Sequence, residues 1–149
     1  PDETGSWPET EDMRAVSAYW MQHRTPGQPT YVYYGAAPAF AYYTRDFTVR
    51  EELPSTWCFA CWHDDIPPAF CREDGVYYGR WIRRLDDAGK AESVIGTLGG
   101  APESFWLVFG HLVAGDDRQM IAAFTRRGYK LQAAVEAVNA SACLLARER

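Results

Sequence analysis

The sharpest chemistry in this chain sits in one short span: Cys58, Cys61, His63 and Cys71. Three thiols and an imidazole are the donor set of a tetrahedral zinc site. The spacing of Cys58-Phe59-Ala60-Cys61 is also that of a redox-active dithiol. Both readings need Cys58 and Cys61 on the same side of the chain. Thr56 to Trp62 reads as a strand, and an odd separation along a strand places two side chains on opposite faces. A disulfide from Cys58 or Cys61 to Cys71 fits that geometry better, wherever the compartment is oxidising. Free thiols rank second, zinc third and redox catalysis last; no metal site is expected. Four cysteines allow three complete pairings. Cys143, inside an apolar strand, reads as a buried free thiol.

A second group of candidates surrounds Tyr34-Gly35-Ala36-Ala37-Pro38. A small-residue turn entering a helix can present backbone N–H groups to an anion. Here Pro38 removes one donor, and the glycine spacing of a nucleotide fingerprint is absent. Close packing of strand and helix is the favoured reading of the turn. Tyr33, Tyr34, Tyr42 and Tyr43 offer rings that stack on sugar faces and hydroxyls that bond sugar oxygens, while aromatic packing is the favoured reading of the set. Adjacent strand residues point oppositely, so at most one of Tyr33 and Tyr34 is expected to face a given pocket. His111 follows an apolar strand at its carboxyl end, where open α/β sheets bind ligands. It is a candidate ligand contact or proton carrier. No Ser, Asp or Glu stands at triad spacing from it, so a structural histidine is the competing reading. The ligand-binding candidates are thus Tyr34, Gly35, Tyr42, Tyr43 and His111. Arg80, Arg83 and Arg84 suit lipid phosphates but read more simply as a solvated face.

The elements that would position these residues follow from periodicity. Residues 1–9 read as a flexible lead-in and 10–149 as one α/β domain. Thr10 is the expected N-cap of a first helix, with Glu11 and Asp12 favoured by its dipole. Met13, Val16 and Trp20 form its apolar stripe, and Thr25-Pro26-Gly27 stops it at about Arg24. Thr30–Tyr34 reads as a strand and Ala39–Thr44 as a helix entered through Pro38. Residues 64–75 read as a loop and Val76–Ile82 as a short strand. Ala88–Leu98 reads as a helix ended by Gly99-Gly100. Phe105-Trp106-Leu107-Val108-Phe109 is continuously apolar, the mark of a central strand covered on both faces. Asp116-Asp117 open a last helix with Gly128 at its C-cap. Tyr129–Val138 and Ala142–Arg147 read as a hairpin around Asn139-Ala140-Ser141, with Leu131, Ala133, Val135 and Ala137 sharing a face. The expected fold is a three-layer α/β sandwich, a Rossmann-like mixed sheet of about five or six strands with a C-terminal antiparallel hairpin.

Composition narrows the function. The chain has 149 residues, a net charge of −5 and 15% aromatics. An acidic chain whose only dense basic cluster is Arg80 to Arg84 is not expected to bind nucleic acid. No stretch approaches the ~20 apolar residues of a membrane helix, and no signal peptide opens the chain. Beginning at Pro1 without an initiator Met, the chain reads as a processed or excised soluble piece of a longer protein.

Tyr31-Val32-Tyr33-Tyr34-Gly35-Ala36-Ala37-Pro38-Ala39-Phe40-Ala41-Tyr42-Tyr43 resembles a segment that follows the last membrane helix of bacterial polytopic glycosyltransferase-like proteins. These are related to the protein mannosyltransferases and aminoarabinose transferases, and take sugars from polyprenyl-phosphate carriers. Phe105-Trp106-Leu107-Val108-Phe109-Gly110-His111, followed by Asp116-Asp117 and Gly128, is similar to a second element of that family. The resemblance spans most of residues 10–147. It implies the soluble extracytoplasmic C-terminal domain of such a protein, on the outer face of a bacterial inner membrane. The family's catalytic carboxylates lie in loops between membrane helices, so no catalytic residue and no cofactor is carried over. The implied role is non-catalytic: capping, or binding substrate or acceptor. The implied partners are the membrane-embedded part of the same polypeptide and a lipid-linked sugar or glycan acceptor. The Cys58–Cys71 stretch matches no pattern of the family.

Two other classes compete: a small independent α/β enzyme with His111 and the tyrosines in a cleft, and a cell-envelope protein–protein interaction domain. For the cysteines, a thiol count under denaturing, non-reducing conditions is expected to fall short by one disulfide, with no zinc in metal analysis. Four free thiols without zinc would remove both the disulfide and the metal site.

Overall fold

The computed structural model of the chain describes residues 12–44, 70–71, 74–80, 82–110 and 115–149, of which 70 and 71 are described as backbone alone. Thr10, the strand expected over 56–62, Cys58, Cys61, His63 and His111 lie outside these residues. So does the side chain of Cys71.

Helix α1 spans Met13–His23, β1 Thr30–Val32, α2 Ala37–Tyr43, β2 Phe70–Cys71 and β3 Val76–Tyr78. Then come α3 Asp87–Thr97, β4 Ser104–Gly110, α4 Asp116–Thr125, β5 Tyr129–Ala137 and β6 Ala140–Arg147. The strands form one six-stranded mixed sheet in the order β2-β3-β1-β4-β6-β5. β1 pairs in parallel with both β3 and β4, while β2, β6 and β5 add antiparallel pairings.

The inner strands alternate between two sheet faces, and each face has its own layer of helices. Val32, Trp106, Val108, Ala140 and Ala142 pack with Met13, Val16, Trp20 and Phe40 of α1 and α2. Tyr31, Phe105, Leu107, Phe109, Cys143 and Leu145 pack with Val94 of α3 and Met120 and Phe124 of α4. This is the expected three-layer sandwich. Phe105 to Phe109 are buried on both faces, as a continuously apolar strand must be.

Tertiary contacts shift several boundaries away from the sequence reading. α1 is capped by Asp12, whose Oδ1 accepts from the Ala15 N–H at 3.3 Å. The Asp12 N–H donates to the Val138 carbonyl at 2.8 Å, so the β5–β6 turn fixes where the helix begins. β1 ends at Val32, because Tyr34–Ala36 turn into a 3-10 helix that leads into α2. β3 ends at Tyr78, and a two-residue strand, β2, occupies part of the expected 64–75 loop. The α4 C-cap is Arg126; Gly128 reverses the chain two residues later at φ 91°. The hairpin turn is Val138-Asn139, with Asn139 at φ 50°, so Ala140 and Ser141 open β6 instead of belonging to a loop. A register shift between Leu131 and Ala133 breaks the single alternation expected in β5. Leu131 pairs with Leu145, but Ala133 pairs with Leu144, so the two face opposite sides of the sheet.

The amino edge of the sheet is closed by side chains. Gln28 donates through Nε2 to Ser104 Oγ at 3.0 Å and accepts at Oε1 from the Trp106 indole N–H at 2.8 Å. Trp20 Nε1 donates to Thr30 Oγ1 at 3.0 Å, and the Arg24 guanidinium lies over the Trp20 ring while bonding Asp74. These contacts lock α1 and the Pro-Gly turn onto β1 and β4.

One close approach is backbone against ring. Tyr31 is fully buried, and its hydroxyl has no hydrogen-bond partner among the described residues. A Cβ added at Gly79 would run into that hydroxyl and the ring carbons beside it. Only glycine lets the chain leave β3 over this ring. Gly79→Ala is therefore expected to destabilise the fold by about 1–3 kcal/mol, the range for overpacking a filled core. Tyr31→Phe removes an orphaned hydroxyl and is expected to be neutral or stabilising by up to about 1 kcal/mol. Urea denaturation of both variants checks the pair; a Tyr31→Phe loss of several kcal/mol would show that the hydroxyl has a partner.

Candidate functional site

The chain leaves β1 through α2 toward β3 on one side of the sheet and leaves β4 through α4 toward β5 and β6 on the other. Where neighbouring parallel strands send their connections in opposite directions, a crevice opens at their carboxyl ends, the usual ligand position of open α/β sheets. Here that point lies between β1 and β4.

Aromatic rings fill this crevice. Tyr33 and Tyr34 belong to the same buried cluster, their centroids 4.7 Å apart, and Tyr33 lies 5.7 Å from Phe109. The expectation that they point oppositely fails because β1 ends before them. Tyr34 opens a 3-10 turn, and strand alternation no longer applies. Gly35, Ala36 and Ala37 are buried as well, which supports close packing as the role of the small-residue turn. The 7-residue α2 that follows has Pro38 in its first turn.

The sequence candidates do not converge. Tyr34 and Gly35 sit at the carboxyl edge, Tyr34 on the α3–α4 side. Tyr42 is 70% exposed on α2, and Tyr43 packs against the α1–α2 side, with Arg14 5.8 Å from its ring centroid. Arg80 lines a groove along α3, and the charge of Arg83 partly offsets the burial that raises the Tyr33 phenol. Among the described residues, no cluster of His, Cys, Asp or Glu could hold a metal ion.

By sequence, Asp116 and Asp117 read as a helix start and as part of the second resembling element, and neither reading makes them site residues. In the structure they tie α4 to two places on the carboxyl edge, the turn just after β1 and the start of β6. Asp116 Oδ2 accepts from the Tyr33 hydroxyl at 3.4 Å. Asp117 Oδ2 accepts from Ser141 Oγ at 3.1 Å, and its Oδ1 accepts from the Arg118 N–H at 2.9 Å. Beside this second contact an open cleft of about 570 Å³ lies between the start of α4 and the β5–β6 turn. Its polar lining is Asp117, Arg118, Glu136, Asn139 and Ser141, between glycine and alanine walls. The missed signal was that two consecutive acids, one residue after a glycine, can each reach a different strand end.

Comparison with protein-family models, curated proteins and solved structures finds no match to this chain. The chemistry of the site therefore rests on its own geometry.

Burial sets the titration of the groups behind the edge. The Cys143 thiol is pushed from 9.0 up to about 12, chiefly by desolvation. The phenols of Tyr31 and Tyr33 are raised above their ordinary 10.0, again by burial first, with Tyr34 and Asp116 adding to the rise at Tyr33. In the unfolded chain these groups release protons near their ordinary values, while the fold holds them. Their stabilising contribution is full below pH 9.0 and is lost as pH rises through the folded values. The urea midpoint is expected to fall above about pH 9 as these groups deprotonate on unfolding. Folded Cys143 should resist alkylation at neutral pH, as mapped by peptide mass. Rapid labelling of Cys143, or a midpoint that holds steady into strong alkali, would contradict this picture.

Proposed function

We propose that the chain is a non-catalytic accessory domain of an extracytoplasmic membrane glycosyltransferase-like protein, capping its active site or holding substrate or acceptor. The carrying observation is spatial. The two segments that bear the resemblance, Tyr31–Tyr43 and Phe105–His111, are far apart in sequence, yet the strands they contain, β1 and β4, pair side by side in parallel. A shared fold would bring them together in this way, whereas two chance fragments need not meet.

The filled crevice points in the same direction. A substrate at the β1–β4 junction would have to displace the buried rings of Tyr33 and Tyr34. A scaffold that shapes its rim has no such conflict. Among the described residues, no helix is long and apolar enough to cross a membrane, so this reading places the spans elsewhere in the polypeptide. Its partners are then that membrane-embedded part and a lipid-linked sugar or a glycan acceptor.

The reading frame upstream of Pro1 tests this directly. A hydrophobic multi-span region joined in frame is expected, and the full-length product should sediment with membranes. A frame that starts just before Pro1 and yields only this chain would overturn the proposal.

A further inference from the structure

The cleft between α4 and the β5–β6 turn lies at the carboxyl edge of the sheet, beside the filled crevice. Its charge balance excludes the anion reading. Asp117 and Glu136 set two negative charges against the single positive charge of Arg118. The amino end of α4, which would attract a phosphate, already carries Asp116 and Asp117 in its first turn. A metal ion is not favoured either, because the acids here do not form a donor cluster.

A neutral polyhydroxyl ligand remains, and the lining suits it. Carboxylates accept from hydroxyls, a guanidinium donates to them, and amide and serine side chains do both. Asp117 is held in place from two sides, by Ser141 Oγ and by the Arg118 N–H. Each of its oxygens keeps a further lone pair for a ligand. The glycine and alanine walls let a ring come close to the backbone. The volume, about 570 Å³, falls within the range of small-molecule sites.

We propose that this cleft binds the hydroxyl groups of a neutral sugar and rejects phosphate. The identity of that sugar as part of a lipid-linked donor or a glycan acceptor rests on the accessory-domain reading; the cleft chemistry does not. Because the cleft is open, affinity for a monosaccharide is expected to be weak, in the millimolar range.

The experiment is an NMR titration of the isotope-labelled chain with glucose, mannose, galactose and N-acetylglucosamine, and separately with inorganic phosphate. At least one sugar is expected to shift the amides of residues 115–118 and 136–141, with phosphate leaving them unmoved. Glu136→Gln, at an exposed position, should weaken that sugar about tenfold, the loss of one charge-assisted hydrogen bond. Asp117→Asn, which retains an acceptor for Ser141, should do the same. Shifts caused by phosphate and not by sugar would overturn the proposal. So would silence with every sugar up to about 50 mM, well above a millimolar dissociation constant. Because the titration uses this chain alone, its failure leaves the upstream reading frame to judge the accessory-domain reading independently.

Discussion

The whole architecture depends on two strands that have no solvent-facing side. β1 and the Phe105–Phe109 run of β4 are buried throughout, paired in parallel, with large side chains projecting to both sides. Each such side chain is worth about 1.5–3 kcal/mol when removed from water. That gain requires cover on both faces, so helices must flank the sheet on both sides. Parallel pairing requires crossovers, because no hairpin can join strands that run the same way. The two requirements together generate the three layers and place the ends of β1 and β4 at one edge.

Much of this was legible in the sequence because it depends on local pattern. The continuous apolar run of β4, the Pro-Gly stop after α1, the entry of α2 through Pro38 and the C-terminal hairpin all follow from composition and spacing. The departures share a different cause. The start of α1 is set by a hydrogen bond from Asp12 to Val138, far along the chain. The bulge at Gln132 exists only relative to β6. Tyr33 and Tyr34 lie together because a 3-10 turn begins one residue sooner than strand propensity suggests. Local preference cannot report a contact that another part of the chain supplies.

The site was less legible than the fold for a related reason. Tyrosines attract attention in a sequence because their chemistry is versatile, but most of this set went into packing. Asp116 and Asp117 look like ordinary helix-start acids, and their significance comes from what they reach: Tyr33 in the turn just after β1 and Ser141 at the start of β6. These two contacts make the first turn of α4 the joint between the aromatic plug and the neighbouring cleft. Aromatic packing closes the crevice, and the polar side chains line the cleft beside it.

If the doubly covered β1–β4 pair organises the molecule, its cross-strand amides must be the last to open. The Tyr33 N–H, bonded to the Val108 carbonyl at 2.8 Å, and the Trp106 N–H, bonded to the Pro29 carbonyl at 2.9 Å, are the reporters. Native-state hydrogen exchange should find both protected to the level of global unfolding, with the exposed residues of β5 exchanging earlier. Fast exchange at Tyr33 and Trp106, while β5 stays protected, would show that the core lies elsewhere and that the two segments do not pair.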